Sequence, residues 1–180
     1  MREYRKAGTI ALLAMLVAGA LGQDAASAQS QQSLGVENDW SIFQATSNGH
    51  KVCWIASQPT ETAASRDGKT VQVRRGDIFL MVSIRPGDGV NNEVSFIGGY
   101  PFKSGSEVEA SVGDKRFTMF TEGENAWAPS ASDDSAIVDA FRAGSSARVE
   151  GVSSRGTKTV DTFSLIGFTN ALEKAVNLCK

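Results

Sequence analysis

Beyond residue 36 the dominant period of the apolar residues of this chain is two, in short runs. That period belongs to strands, whose successive side chains point to opposite faces. Val52, Trp54 and Ala56 share one side of a predicted strand 51–57, with Cys53 and Ile55 on the other. Residues 78–84, Ile-Phe-Leu-Met-Val-Ser-Ile, are apolar on both faces through Val82, as expected of a central strand covered on both sides. Val94, Phe96 and Ile97 continue the pattern, and further strands are expected at 107–112, 115–121, 124–128, 147–153 and 158–168. A polar strand is expected at Thr70–Arg74. Turn signals separate these runs: Asn48-Gly49, Gly87-Asp88-Gly89, Asn91-Asn92, Gly98-Gly99 with Pro101, and Gly113-Asp114 in a hairpin. Glycine makes up 18 of 180 residues, above the usual share of about 7%. Two helices interrupt the strands. Asp133–Arg142 places Ile137, Val138 and Phe141 on one face, with acids at its start and Gly144 after its end. Asn170–Leu178 has Asn170 and Glu173 at capping-box spacing. Many short strands with glycine-rich turns predict an all-β fold, an antiparallel β-sandwich of one domain.

The first 28 residues stand outside that fold. Arg2, Arg5 and Lys6 precede an apolar run from Ala7 to Leu21, and Ala26-Ser27-Ala28 is a small-x-small cleavage site. This is the order of a cleaved secretory signal peptide. The run of 15 residues is shorter than the roughly 20 that span a bilayer. No other apolar stretch approaches that length, so no transmembrane segment is expected in the mature chain. Residues 29–37 are polar and read as a linker, and 38–180 as the folded domain. Export leads to an oxidising space, the periplasm or beyond, where an even cysteine count suggests a bridge. Cys53 and Cys179 are the only two cysteines and are expected to pair. A catalytic dithiol favours Cys-x-x-Cys spacing, which is absent.

The inventory of reactive groups is thin. The chain has one histidine, His50, after the Asn48-Gly49 turn, and reads there as a solvated loop residue. One imidazole with a bridged cysteine pair supplies no Ser–His–Asp arrangement and no nitrogen–sulfur zinc site. No phosphate-cradling glycine loop or calcium loop is written, so no catalytic residue, cofactor or metal is expected. Glu107/Glu109 and Glu122/Glu124 are spaced to share a strand face, as a glycosidase pair or, far more commonly, as a solvated surface. Trp40, Trp54 and Trp127 suit either a stacking platform or core anchors. Arg75-Gly76-Asp77 is a candidate binding turn for an integrin-like receptor, against the plainer reading of a glycine turn flanked by charges. Asp161, the one acid inside its predicted strand, is expected to pair with Arg155 or Arg148 or to cap a turn. The formal charge of −2 becomes −3 once residues 1–28 are removed, without the basic excess of a nucleic-acid binder.

The C-terminal third resembles the invasion-associated locus B (IalB) family of exported bacterial proteins. The resemblance is carried by Ser154-Arg155-Gly156-Thr157-Lys158-Thr159-Val160-Asp161-Thr162-Phe163-Ser164-Leu165-Ile166-Gly167-Phe168-Thr169, then Asn170-Ala171-Leu172 and Cys179. Trp40, Cys53, Ser83-Ile84-Arg85-Pro86 and Ala126-Trp127 support it, over residues 38–180. It implies an immunoglobulin-like β-sandwich and a periplasmic or outer-membrane-associated location. In pathogenic members it implies a part in entering host cells, with no reaction or ligand attached. Family members often carry a further cysteine soon after the first tryptophan, and Trp40–Val52 here has none. Together these readings describe an exported, non-enzymatic envelope protein whose partner is an envelope or host-surface protein. The alternative is a small periplasmic hydrolase or carbohydrate-binding protein.

Overall fold

The alternating residues form strands in the computed structural model, which describes residues 31–180. The signal peptide expected at 1–28 lies outside the described residues. In chain order the strands are β1 (Gln32–Glu37), β2 (Trp40–Ser47), β3 (His50–Ser57), β4 (Glu61–Arg66), β5 (Lys69–Thr70) and β6 (Phe79–Arg85). Then follow β7 (Val90–Ile97), β8 (Glu107–Val112), β9 (Lys115–Glu122), β10 (Asn125–Trp127), β11 (Ser146–Val152) and β12 (Lys158–Ser164). Helix α1 (Ala131–Ala143) sits between β10 and β11, and α2 (Phe168–Leu178) ends the fold. All strand pairs are antiparallel, in the order β1-β2-β3-β6-β7-β10-β9-β8-β11-β12-β4-β5.

That single sheet closes over itself into a β-sandwich. Phe96 on β7 and Phe163 on β12 lie five strands apart in the sheet, about 24 Å if it were flat. Their rings meet edge to face at 6.1 Å. The inward residues of β6 (Leu80, Val82, Ile84) and of β8 (Val108, Ala110, Val112) therefore share one core. The two helices plug its end: Phe168 of α2 meets Trp40 at 5.0 Å and Phe141 of α1 at 5.3 Å. Trp40 is fully buried, and its indole N–H donates to the Ser164 carbonyl at 3.0 Å, so its one polar atom is satisfied. Cys53 on β3 is bridged to Cys179 just after α2, with their Cα atoms 5.8 Å apart.

The turns follow their residues. Asn48 and Gly49 both take positive φ between β2 and β3, the geometry a two-residue hairpin needs, and Asn-Gly adopts it readily. Gly113-Asp114 joins β8 to β9 as expected. Helix α1 is capped by Ser130, whose hydroxyl accepts from the Asp133 amide at 3.2 Å, while Asp133 and Asp134 face the positive end of the helix dipole.

Several expectations are corrected. The stretch taken as a linker, 29–37, contains strand β1, which pairs with β2 through a register shift between Ser33 and Gly35. Asn91 and Asn92 lie within β7, which starts at Val90 after a short 3-10 turn at Pro86–Asp88. Thr70–Arg74 is not a strand: the β4–β5 ladder stops at Thr70, and residues 71–78 run outside the strands, tied by single backbone bonds from Val71 to the Ala64 carbonyl and from Gly76 to the Gly99 carbonyl. The last strand stops at Ser164, because α2 already starts at Phe168. No Asn170–Glu173 capping box forms. Gly167 caps α2 at φ 91°, with the Glu37 carbonyl lying where a Cβ would sit, so only glycine fits without a shift.

Candidate functional site

The inward face of β12 changes character along its length. Phe163, at its C-terminal end, belongs to the apolar core, whereas Thr159 and Asp161 bring polar groups inside. Segment 71–78 crosses this polar end and inserts Arg75. The guanidinium grips Asp161 with two parallel bonds, Nη1 to Oδ1 at 2.6 Å and Nη2 to Oδ2 at 2.7 Å. Nε and Nη2 also donate to the Gly98 carbonyl at 3.0 and 2.7 Å. Both side chains are secluded, at 8% exposure for Arg75 and 0% for Asp161. Burying two charges is costly, and this fork geometry with extra carbonyl acceptors is what offsets the cost. The Tyr100 ring lies 4.9 Å from the guanidinium carbon, and its hydroxyl shares a 2.5 Å hydrogen bond with Thr159. Burial holds the Tyr100 hydroxyl above its ordinary pKa, so it stays neutral and able to donate.

Above this floor opens a cleft of about 450 Å³. Arg66, Arg74 and Arg155 line it together with Glu124. Arg66 is oriented by Thr157, whose hydroxyl accepts from Nη2 at 2.6 Å and Nε at 3.2 Å.

A second surface lies on the outside of the sheet. The strand registers align Ala56, Met81, Ser95, Trp127 and Phe120 in one row across β3, β6, β7, β10 and β9. Phe120 stacks on Trp127 at 5.6 Å, and Phe43 on Trp54 at 5.4 Å in the neighbouring row. Phe120 remains 47% exposed. The helices pack on the opposite, inner side, so no described element covers these rings. Beyond Phe120 the row reaches Glu107 and a shallow hollow formed with Glu109 and Glu150. Arg116 pairs with Glu109 at 2.9 Å and Arg148 pairs with Glu150, while the hollow has no tryptophan in its lining.

The remaining sequence expectations fall as follows. Trp40 is a core anchor, whereas Trp54 and Trp127 belong to the outer face. His50 is exposed, but as the first residue of β3 and not within a loop. Glu107 and Glu109 do share a strand face. Glu122 and Glu124 do not, because the Gly123-Glu124 turn separates them and places Glu124 at the cleft. Asp161 pairs with neither Arg155 nor Arg148; its partner is Arg75, brought there by the crossing segment. In the candidate binding turn Arg75-Gly76-Asp77, the arginine is therefore turned inward and occupied, while Gly76 and Asp77 are exposed. Sequence reasoning missed the cleft. Its only trace was Asp161, the one acid inside its predicted strand, with the adjacent Arg74 and Arg75 far from it in sequence.

The model of the invasion associated locus B (IalB) protein family matches residues 40–176. The chain belongs to the IalB family. No curated protein matches it in sequence. Its fold is similar to that of the crystal structure of invasion associated protein B from Bartonella henselae, with a TM-score of 0.54 at 18% identity, over 80% of this chain and 95% of that one. In this IalB-family chain the bridge between Cys53 and Cys179 closes almost the whole matched region. No helix among the described residues is long and apolar enough to cross a membrane.

Proposed function

We propose that this IalB-family chain is exported and works in the bacterial envelope as a non-enzymatic binding domain, holding a protein of the envelope or of a host surface on its outer sheet face. The observation that carries this reading is the row Met81–Trp127–Phe120 with the Phe43–Trp54 stack beside it. Aromatic residues and methionine concentrate at the centres of protein interfaces, where rigid rings fill a partner's pockets at little entropic cost. The charged pair Glu109–Arg116 and the acids Glu107 and Glu150 border the patch, as a polar rim does. The disulfide suits an oxidising compartment. Removal of residues 1–28 would leave Gln29 as the mature terminus, three residues ahead of the start of β1 in sequence.

The test uses purified protein immobilised beside its Phe120→Asp and Trp127→Ser variants, each with a thermal midpoint close to the parent's. Envelope extract is passed over all three. The expected result is one envelope protein retained by the parent and reduced at least about tenfold by each variant, the scale of a lost interface anchor. Equal retention by the parent and both variants would contradict the reading.

A further inference from the structure

We propose that the arginine-rich cleft at the end of the sandwich is a second binding site, separate from the outer face, and that it takes a phosphate monoester carried on a sugar-sized body. Three observations lead there. The first is charge. Arg75 is neutralised by Asp161, so the charged groups left at the cleft are Arg66, Arg74 and Arg155 against Glu124. Among the described residues none of these three arginines has a carboxylate within ion-pair distance, unlike Arg85, Arg116, Arg142 and Arg148. The resulting two positive charges match a phosphate dianion better than a single carboxylate, and planar guanidinium forks grip phosphate oxygens in pairs.

The second is rigidity. The cleft floor is the Arg75–Asp161–Gly98 network with Tyr100 laid against it, and Arg66 is held by Thr157. A preformed floor lowers the ordering cost of binding. The third is size and lining. About 450 Å³ falls within the range of small-molecule sites. Tyr100 and Pro101 offer apolar surface for a sugar's carbon skeleton, while Gln72 and Ser154 offer hydrogen bonds for its hydroxyls. A bare membrane surface would not enter such a recess. A phosphorylated sugar would, either free or projecting as a glycolipid headgroup.

Calorimetric titration of the purified protein with glucose 1-phosphate, glucose and inorganic phosphate tests the assignment, alongside an Arg74→Gln/Arg155→Gln double variant. Both substituted residues are exposed and outside the floor network. Glucose 1-phosphate is expected to bind more tightly than inorganic phosphate and far more tightly than glucose. Its affinity should fall at least about tenfold in the double variant, the effect of losing charged hydrogen bonds. Vesicles bearing a phosphorylated glycolipid, compared with vesicles of phosphatidylcholine alone, separate the two sources: retention on the former assigns the lipid-borne form, and binding of the soluble sugar phosphate alone assigns the free form. The proposal is overturned if glucose binds as well as its phosphate, if inorganic phosphate matches glucose 1-phosphate, if the double variant keeps the parent's affinity, or if no phosphorylated probe binds at millimolar concentration.

Discussion

Asp161 is wholly buried, and Arg75 is its ion-pair partner. Replacing Asp161 with Asn leaves the guanidinium's charge secluded without a counter-charge, which typically costs about 3–5 kcal/mol. The Asp161→Asn variant is therefore expected to lose stability on that scale in urea unfolding, with the slope unchanged. A loss under about 1 kcal/mol would mean that the pair is not closed in solution. The sequence showed that Asp161 needed explaining, because the one acid inside a predicted strand requires a partner where it faces inward. It did not show which one. Arg75 lies 86 residues earlier, and the nearer Arg148 and Arg155 have the same chemistry. Only the path of segment 71–78 distinguishes them, and that path has no local periodicity to read.

Among the elements, the longer apolar-patterned strands were legible, but β2 was not, although it buries Trp40 and Ile42. β8 alternates plainly, and β6 stood out as a continuous apolar run. β4, Glu-Thr-Ala-Ala-Ser-Arg, has no such contrast; its place is set by backbone pairing with β12 and β5. β1 is likewise polar and held by β2. The expectation that 78–84 is covered on both sides is corrected: Leu80, Val82 and Ile84 face the core, whereas Phe79, Met81 and Ser83 are only partly buried on the outer face. Helix α1 supplies a further test. Asp134, in its first turn, accepts the Val94 amide of β7 at 2.8 Å, tying helix to sheet. Its carboxyl is raised above the ordinary 3.8, chiefly by burial, with Glu93 and Asp133 adding to the effect against the Val94 bond. The folded state thus holds this proton more tightly than the unfolded chain does. The group favours folding at low pH, and that contribution is lost as pH rises from the unfolded value through the folded one. Asn keeps the acceptor oxygen and cannot ionise. Asp134→Asn is expected to gain stability relative to the parent between about pH 4 and pH 7, read from paired denaturation curves. A constant difference across that range would contradict the shift.

For the molecule as a whole, the bridge joins β3 to the chain end across 126 residues. In the chain-entropy model a loop of that length constrains the unfolded state by about 5 kcal/mol. A Cys53→Ser/Cys179→Ser variant should lose up to about that much, measured by denaturant midpoint against the oxidised parent. An unchanged midpoint would show that α2 holds its place without the staple. The cysteine pairing and the β-sandwich were readable from compartment, count and period, because each depends on local or compositional signals. The outer aromatic face and the arginine-lined cleft were not, since they arise from registers and crossings between distant strands. The claim that most needs testing is that the outer face is a protein contact in the living envelope. A photo-cross-linking amino acid at position 120, with position 114 in the β8–β9 turn as control, tests it in intact cells. The account predicts one discrete adduct between the protein and a second polypeptide from position 120 and none from 114. Equal labelling from both positions, or no adduct from 120, would contradict it.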